Sequence, residues 1–300
     1  MVEVLIRWVL VALSLFVVGP AAGWVAQRAP GAGGADAATM VFSASPIAGA
    51  GAVLGATAIA IGWGFATVAI GGAARGERLG GPGRPIDGLV NMSIVLAWST
   101  WHAARLDTLV RSGIDIGAGG VWLLGLEGAV LGVLVGGAAL VMLRRLEVGR
   151  TDPVGRPIEP ERVGAVLGRG STLIAVGAGS AAALVVGWVT ARSPEAGQTF
   201  AAAAVGGVAG GVVGRSFGSE TPAWAFAVVF PVVGGLAPVV GGMLTPAPLA
   251  ASAYAGEVMG LLRVMPMDWA AGLALGLPLG LKWAGAAVGK VEHRAENRSA

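Results

Sequence analysis

Six stretches of this chain carry no charged side chain: 8–27, 37–74, 88–104, 170–191, 196–214 and 221–256. Two more, 116–143 and 269–289, are interrupted only by Glu127 and Lys282. A helix needs roughly 20 apolar residues to cross about 30 Å of hydrocarbon, and these runs are about that length. Soluble domains carry about 25% charged residues. This chain of 300 residues carries 12%, with 55% apolar residues and a mean hydropathy of +0.76. That balance excludes a water-soluble globule, a disordered tail and a nucleic-acid binder. A transmembrane β-barrel would alternate polar and apolar positions in segments of about ten residues, and these runs do not alternate. The expected fold is an all-α polytopic integral membrane protein.

The runs predict eight spans, at about 4–26, 46–72, 88–108, 118–143, 170–190, 198–214, 222–244 and 268–289. They divide the chain into a first membrane half (1–143), a cytoplasmic Arg/Pro-containing linker (144–169, with Asp152, Pro153, Pro157 and Pro160) and a second half with a charged tail (170–300). The first span also fits a secretory signal, but Glu3 beside Arg7 is a poor basic start. Cytoplasmic loops are enriched in Lys and Arg. With both termini inside, thirteen lie in inner loops, and Arg28, Arg105, Arg111, Arg192 and Arg263 lie outside. Arg7 and Lys282 sit near inner helix ends, where they can snorkel. The basic pI near 10.1 is therefore a topology signal, N-in and C-in, in what the composition suggests is a bacterial cytoplasmic membrane.

A duplication runs through the chain. GWVAQRAPGAG at 23–33 returns as GWVTARSPEAG at 187–197, identical at seven of eleven places. Further anchors follow in the same order: 63–72 with 224–235, 109–115 with 261–268, and Trp122 with Trp269, each followed three residues on by Gly-Leu. Four spans per half imply a parallel repeat. Pairing Trp63 with Trp224 instead makes 37–74 a helical hairpin and 247–264 another membrane helix, giving ten elements and the inverted topology of many secondary transporters. Eight is the preferred number, within a range of eight to ten.

Glu127 is the one acidic residue well inside an expected span, and an intramembrane ionisable group is a functional candidate by default. It suits a proton, a cation or a basic group. The structural alternative puts it near the outer interface, paired with Arg105 or Arg111. The third span offers a second candidate, because Asn91, Trp98, His102 and Arg105 are spaced 7, 4 and 3 apart, on one helical face. That face lines a hydrated path or bonds across to neighbouring helices, and the latter is preferred. Glycine-rich and proline-broken stretches at 46–55, 204–214 and 230–242 serve close helix packing or mark a transporter's substrate site.

Other chemistry is weakly supported. There is no Cys, so thiolate catalysis and Cys-based metal sites are excluded. Two His make a His-rich metal site unexpected, and the phosphate-loop pattern GxxxxGK[ST] is missing. No cofactor is expected. Asp115 and Asp268 head the fourth and eighth spans and read better as helix caps than as an aspartyl-protease pair. Ser171, Thr172, Arg28 and Arg192 suit headgroups or anions, although the two arginines read better as a duplicated structural corner. The function expected is a small transporter or channel-like permease. The alternatives are a non-catalytic membrane subunit or assembly factor and, more weakly, a lipid-modifying enzyme. The expected partners are the lipid bilayer, a small-molecule or ion substrate, and a membrane protein partner or a second copy.

Overall fold

A computed structural model describes residues 2–28, 39–43, 45–73, 84–114, 116–144, 161–246 and 248–299. The described residues are 83% helical, with no strand among them. This is what lipid demands, since a helix satisfies its own backbone N–H and C=O groups. The first span is α1 (Val2–Leu13), a π-helical turn (Ser14–Val18) and α2 (Gly19–Ala26). Then come α3 (Pro46–Ala73), α4 (Arg84–Trp101), α5 (Leu106–Arg111) and α6 (Ala118–Arg144). A short α7 (Val163–Leu167) precedes α8 (Gly170–Thr190), α9 (Ala196–Phe217) and α10 (Ala223–Leu244). Two short helices, α11 (Leu249–Ala255) and α12 (Gly260–Arg263), lead into the final helix α13 (Pro266–Ser299).

Six described helical segments are long and apolar enough to cross a membrane: Glu3–Ala26, Pro46–Gly72, Ala118–Arg144, Gly170–Thr190, Ala196–Phe217 and Ala223–Leu244. Helices α4 and α13 stand where the other two spans were expected. The ten-element arrangement is not found. Residues 46–73 form one uninterrupted helix, because nothing polar breaks it and lipid penalises an open turn. The segment 249–263 forms two short helices instead of a membrane span. Asp115 and most of the expected linker, 145–160, lie outside the described residues.

The glycine-rich stretches are continuous helices held close together. On α9, Gly206 and Gly210 face α8, where an added Cβ would stand 2.6 Å from the Ala183 carbonyl oxygen and 2.7 Å from that of Gly179. Gly207 and Gly211, one position on, face α13, where a Cβ on Gly211 would come within 2.9 Å of the Leu281 nitrogen. Each Gly-Gly pair thus opens two sides of one helix. Between α6 and α10, Gly132 meets the backbone of Pro231 and Gly136 that of Val228. Small residues allow this approach, and packing rather than a hydrophobic drive holds helices together in lipid. Proline at 231 and 238 is tolerated within α10 because neighbouring helices surround it.

The first span belongs to this bundle. Gly19 and Gly23 seat Trp98 of α4 and His102 just beyond it, where a Cβ on Gly23 would lie 2.8 Å from the His102 ring. The bundle core joins both halves: Met92 and Leu96 of α4, Leu131 and Val135 of α6, Phe226 and Phe230 of α10 and Trp269 of α13 lie in one buried cluster.

Candidate functional site

His102 and Arg105 lie just beyond the C-terminal end of α4, whereas Asn91 lies in its first half. The residue types at 91, 98, 102 and 105 predict one helical face, but α4 ends at Trp101. Its last turn tightens, with the N–H groups of His102 and Ala103 donating to Ser99 and Thr100 oxygens at 3.2 Å. Asn91, Trp98 and His102 stay on the side facing the first span. Arg105, now in extended backbone ahead of α5, turns the other way.

Asn91 is buried and belongs to a network centred on the π-helical turn. The Ser14 hydroxyl has both the Asn91 Oδ1 at 2.5 Å and the Leu10 carbonyl at 2.8 Å as acceptors, while the Trp63 Nε1–H donates to Ser14 at 2.7 Å. Asn91 Nδ2 donates to the Asp87 carbonyl at 2.8 Å. One serine thereby ties the first span to α3 and α4. His102 lies 2.6 Å through Nδ1 from the Gln27 amide nitrogen at the end of α2.

Arg105 carries a buried ion pair. Its Nη1 donates to Asp268 Oδ2 at 2.6 Å and to the Thr199 hydroxyl at 2.7 Å, and its Nη2 donates to the Thr100 carbonyl at 2.5 Å. The Asp268 side chain is 0% exposed and the Arg105 side chain 11%. Asp268, the third residue of α13, also accepts the Met265 N–H at 3.3 Å, as in a capping box. The guanidinium sits on a carbonyl at the C-terminal end of α4 and the carboxylate in the first turn of α13, so each charge complements a helix dipole. Asp268 Oδ1 and Trp269 Nε1 have no hydrogen-bond partner among the described residues.

Glu127 takes neither of its expected arginine partners. Arg105 holds Asp268, and Arg111 stands 3.9 Å from Asp107. The buried Glu127 carboxylate instead accepts the Met40 backbone N–H at 3.0 Å, tying the segment ahead of α3 to α6. Asp268 was expected as a helix cap; the bonds from Arg105 to Asp268 and to Thr199 are not visible in sequence, because 163 and 94 positions separate the pairs.

The opposite end of the bundle contains a cavity of about 530 Å³ between α4, α6, α10 and α13. Its walls are apolar: Leu89, Leu143, Trp224, Ala227, Leu277 and Leu281. Arg215, Glu220 and Lys282 supply its charges. Pro278, inside α13, also lines it and removes the N–H that would have bonded the carbonyl four residues earlier. None of Glu127, Asn91, Trp98, His102 or Arg105 lines this cavity. Among its residues, the sequence singled out Trp224 as an anchor of the duplication and Lys282 as a snorkelling residue. Arg215 read as one more loop charge.

No protein-family model, no curated protein and no solved structure matches the chain.

Proposed function

We propose that the chain is a small multi-pass permease, with α4 and α13 completing eight spans in two related halves, N-in and C-in in a bacterial cytoplasmic membrane. In this reading the cavity is an inward-facing substrate chamber. The single observation that carries the proposal is a chamber of about 530 Å³ formed by helices from both halves, open at the end expected to be cytoplasmic. Its volume lies within the usual range for small-molecule sites, and transporter sites favour the interface between repeats near interrupted helices. The order of elements in the two halves supports the duplication: three long helices, a short helical segment, then a final long helix.

The outer end acts as the closed gate. Arg105 and Asp268 pin α4 to α13 there and His102 and Trp98 seat the first span, while Asn91, in the other half of α4, anchors that span through Ser14. Glu127 closes the segment before α3 and is the group that couples flux to a proton or cation.

A cysteine at Ala227, which lines the chamber, tests this in a chain without native cysteine. In vesicles of defined orientation, a membrane-impermeant thiol reagent should label Ala227→Cys from the inside and, as the protein cycles, from the outside. Labelling from the inside alone would reject alternating access. A second reading, a non-catalytic membrane subunit, draws on the fact that Glu127, Asn91, His102 and Arg105 are all engaged within the chain. Purification in mild detergent with a stoichiometric partner, and one-sided labelling, would favour it.

A further inference from the structure

We infer that the chamber between α4, α6, α10 and α13 takes the headgroup and first methylenes of an acidic phospholipid, with Arg215 and Lys282 on its phosphate. The inference rests on the chamber being a ligand site, as proposed above, but not on transport.

Arg215 is half-buried at the end of α9. One of its N–H groups donates to the Thr221 carbonyl at 2.7 Å, which holds the guanidinium in place and leaves four more donors. Lys282 lies one turn beyond Pro278 on α13, at the same cavity. Neither cation forms an ion pair among the described residues. Among the described residues two cations stand against one carboxylate, Glu220, so the site favours an anion. The walls then select among anions. A free phosphate or phosphorylated sugar would use the charges and make no use of the apolar wall of Leu89, Leu143, Leu277 and Leu281. An amphiphile satisfies both surfaces at once, since each methylene moved out of water onto such walls is favourable. Basic pockets between membrane helices on the cytoplasmic side bind acidic lipid headgroups by the same logic.

The test uses the full-length protein purified in a neutral maltoside, with binding read by native mass spectrometry and by tryptophan fluorescence. The probes are dioctanoyl phosphatidylglycerol, dioctanoyl phosphatidylethanolamine, glycerol phosphate and inorganic phosphate. Phosphatidylglycerol should bind most tightly. Arg215→Gln, which keeps a donor for the Thr221 carbonyl, and Lys282→Gln, at an exposed position, should each weaken it about five-fold, and the double variant about twenty-five-fold. Glu220→Gln should tighten it. Circular dichroism should show unchanged helix content in all four.

Glycerol phosphate or inorganic phosphate binding as tightly as the lipid would reassign the ligand to a soluble phosphate and overturn the lipid assignment. Preference for phosphatidylethanolamine, with Glu220→Gln weakening it, would overturn the acidic class. Phosphatidylglycerol binding indifferent to both cationic positions would mean non-specific lipid around the bundle and would overturn the site. Selective lipid binding together with one-sided labelling of Ala227→Cys would remove the permease reading and leave the lipid site standing.

Discussion

Replacing Asp268 by Asn removes a negative charge that water does not reach. The carboxylate holds Arg105 Nη1 at 2.6 Å and the Met265 N–H at 3.3 Å, and the guanidinium left behind has a side-chain exposure of only 11%. At an effective dielectric of about 20, unit charges about 4 Å apart attract by about 4 kcal/mol. Breaking one side of a buried pair costs about 3–5 kcal/mol, because the remaining charge stays desolvated. The amide can still accept one N–H, and Arg105 keeps Thr199 and the Thr100 carbonyl. Asp268→Asn should therefore fall near the lower limit, about 3 kcal/mol. Arg105→Met should cost a similar amount. The double variant Arg105→Met/Asp268→Asn buries no unpaired charge and should cost less than the sum of the singles, with a coupling of about 2–3 kcal/mol. Equilibrium unfolding in mixed micelles, followed by circular dichroism, measures all four corners of the cycle. Single-variant losses below about 1 kcal/mol, or additivity within about 0.5 kcal/mol, would refute the claim that this pair locks α4 to α13.

Three further outcomes follow from packing and topology. Gly211→Leu should push α9 from α13 and cost at least about 1–3 kcal/mol in the same unfolding assay, whereas Gly177→Ala, with open space around it, should be neutral or stabilising by up to about 1 kcal/mol; equal effects would dismiss the contact role of the paired glycines. Glu127→Gln should keep its acceptor for the Met40 N–H and leave the thermal midpoint nearly unchanged, while Glu127→Ala orphans that N–H and should lose about 1–3 kcal/mol; a large loss from the Gln variant alone would show that the charge itself holds the fold. For topology, Ser219→Cys should react with an impermeant thiol reagent only from the cytoplasmic side and Glu195→Cys only from the other, and the reverse pattern would overturn the N-in orientation.

The class of fold was legible in the chain because lipid imposes a one-dimensional rule. A segment that loses water must satisfy its own backbone, so a long uncharged run becomes a helix wherever it lies. That rule correctly placed 46–72, 118–143, 170–190 and 222–244 within about two residues of their observed ends, and Gly-rich spacing at 204–214 correctly signalled close contact. It said less about the 91/98/102/105 face. Helical spacing describes residues only while the helix lasts, and α4 stops at Trp101, sending Arg105 away from His102.

Composition and linear charge pattern were enough to decide that this chain is helical, apolar and suited to a bilayer, since those depend on transfer free energies counted residue by residue. Which arginine meets which carboxylate depended on how the helices crossed. Arg105 had Glu127, Asp107 and Asp268 to choose from, and packing brought α13 to the end of α4 while the Met40 backbone occupied Glu127. The chamber beneath Arg215 and Lys282 is likewise a product of four helices failing to close on one another at one end. A void has no residues of its own, so only the assembled bundle could reveal it.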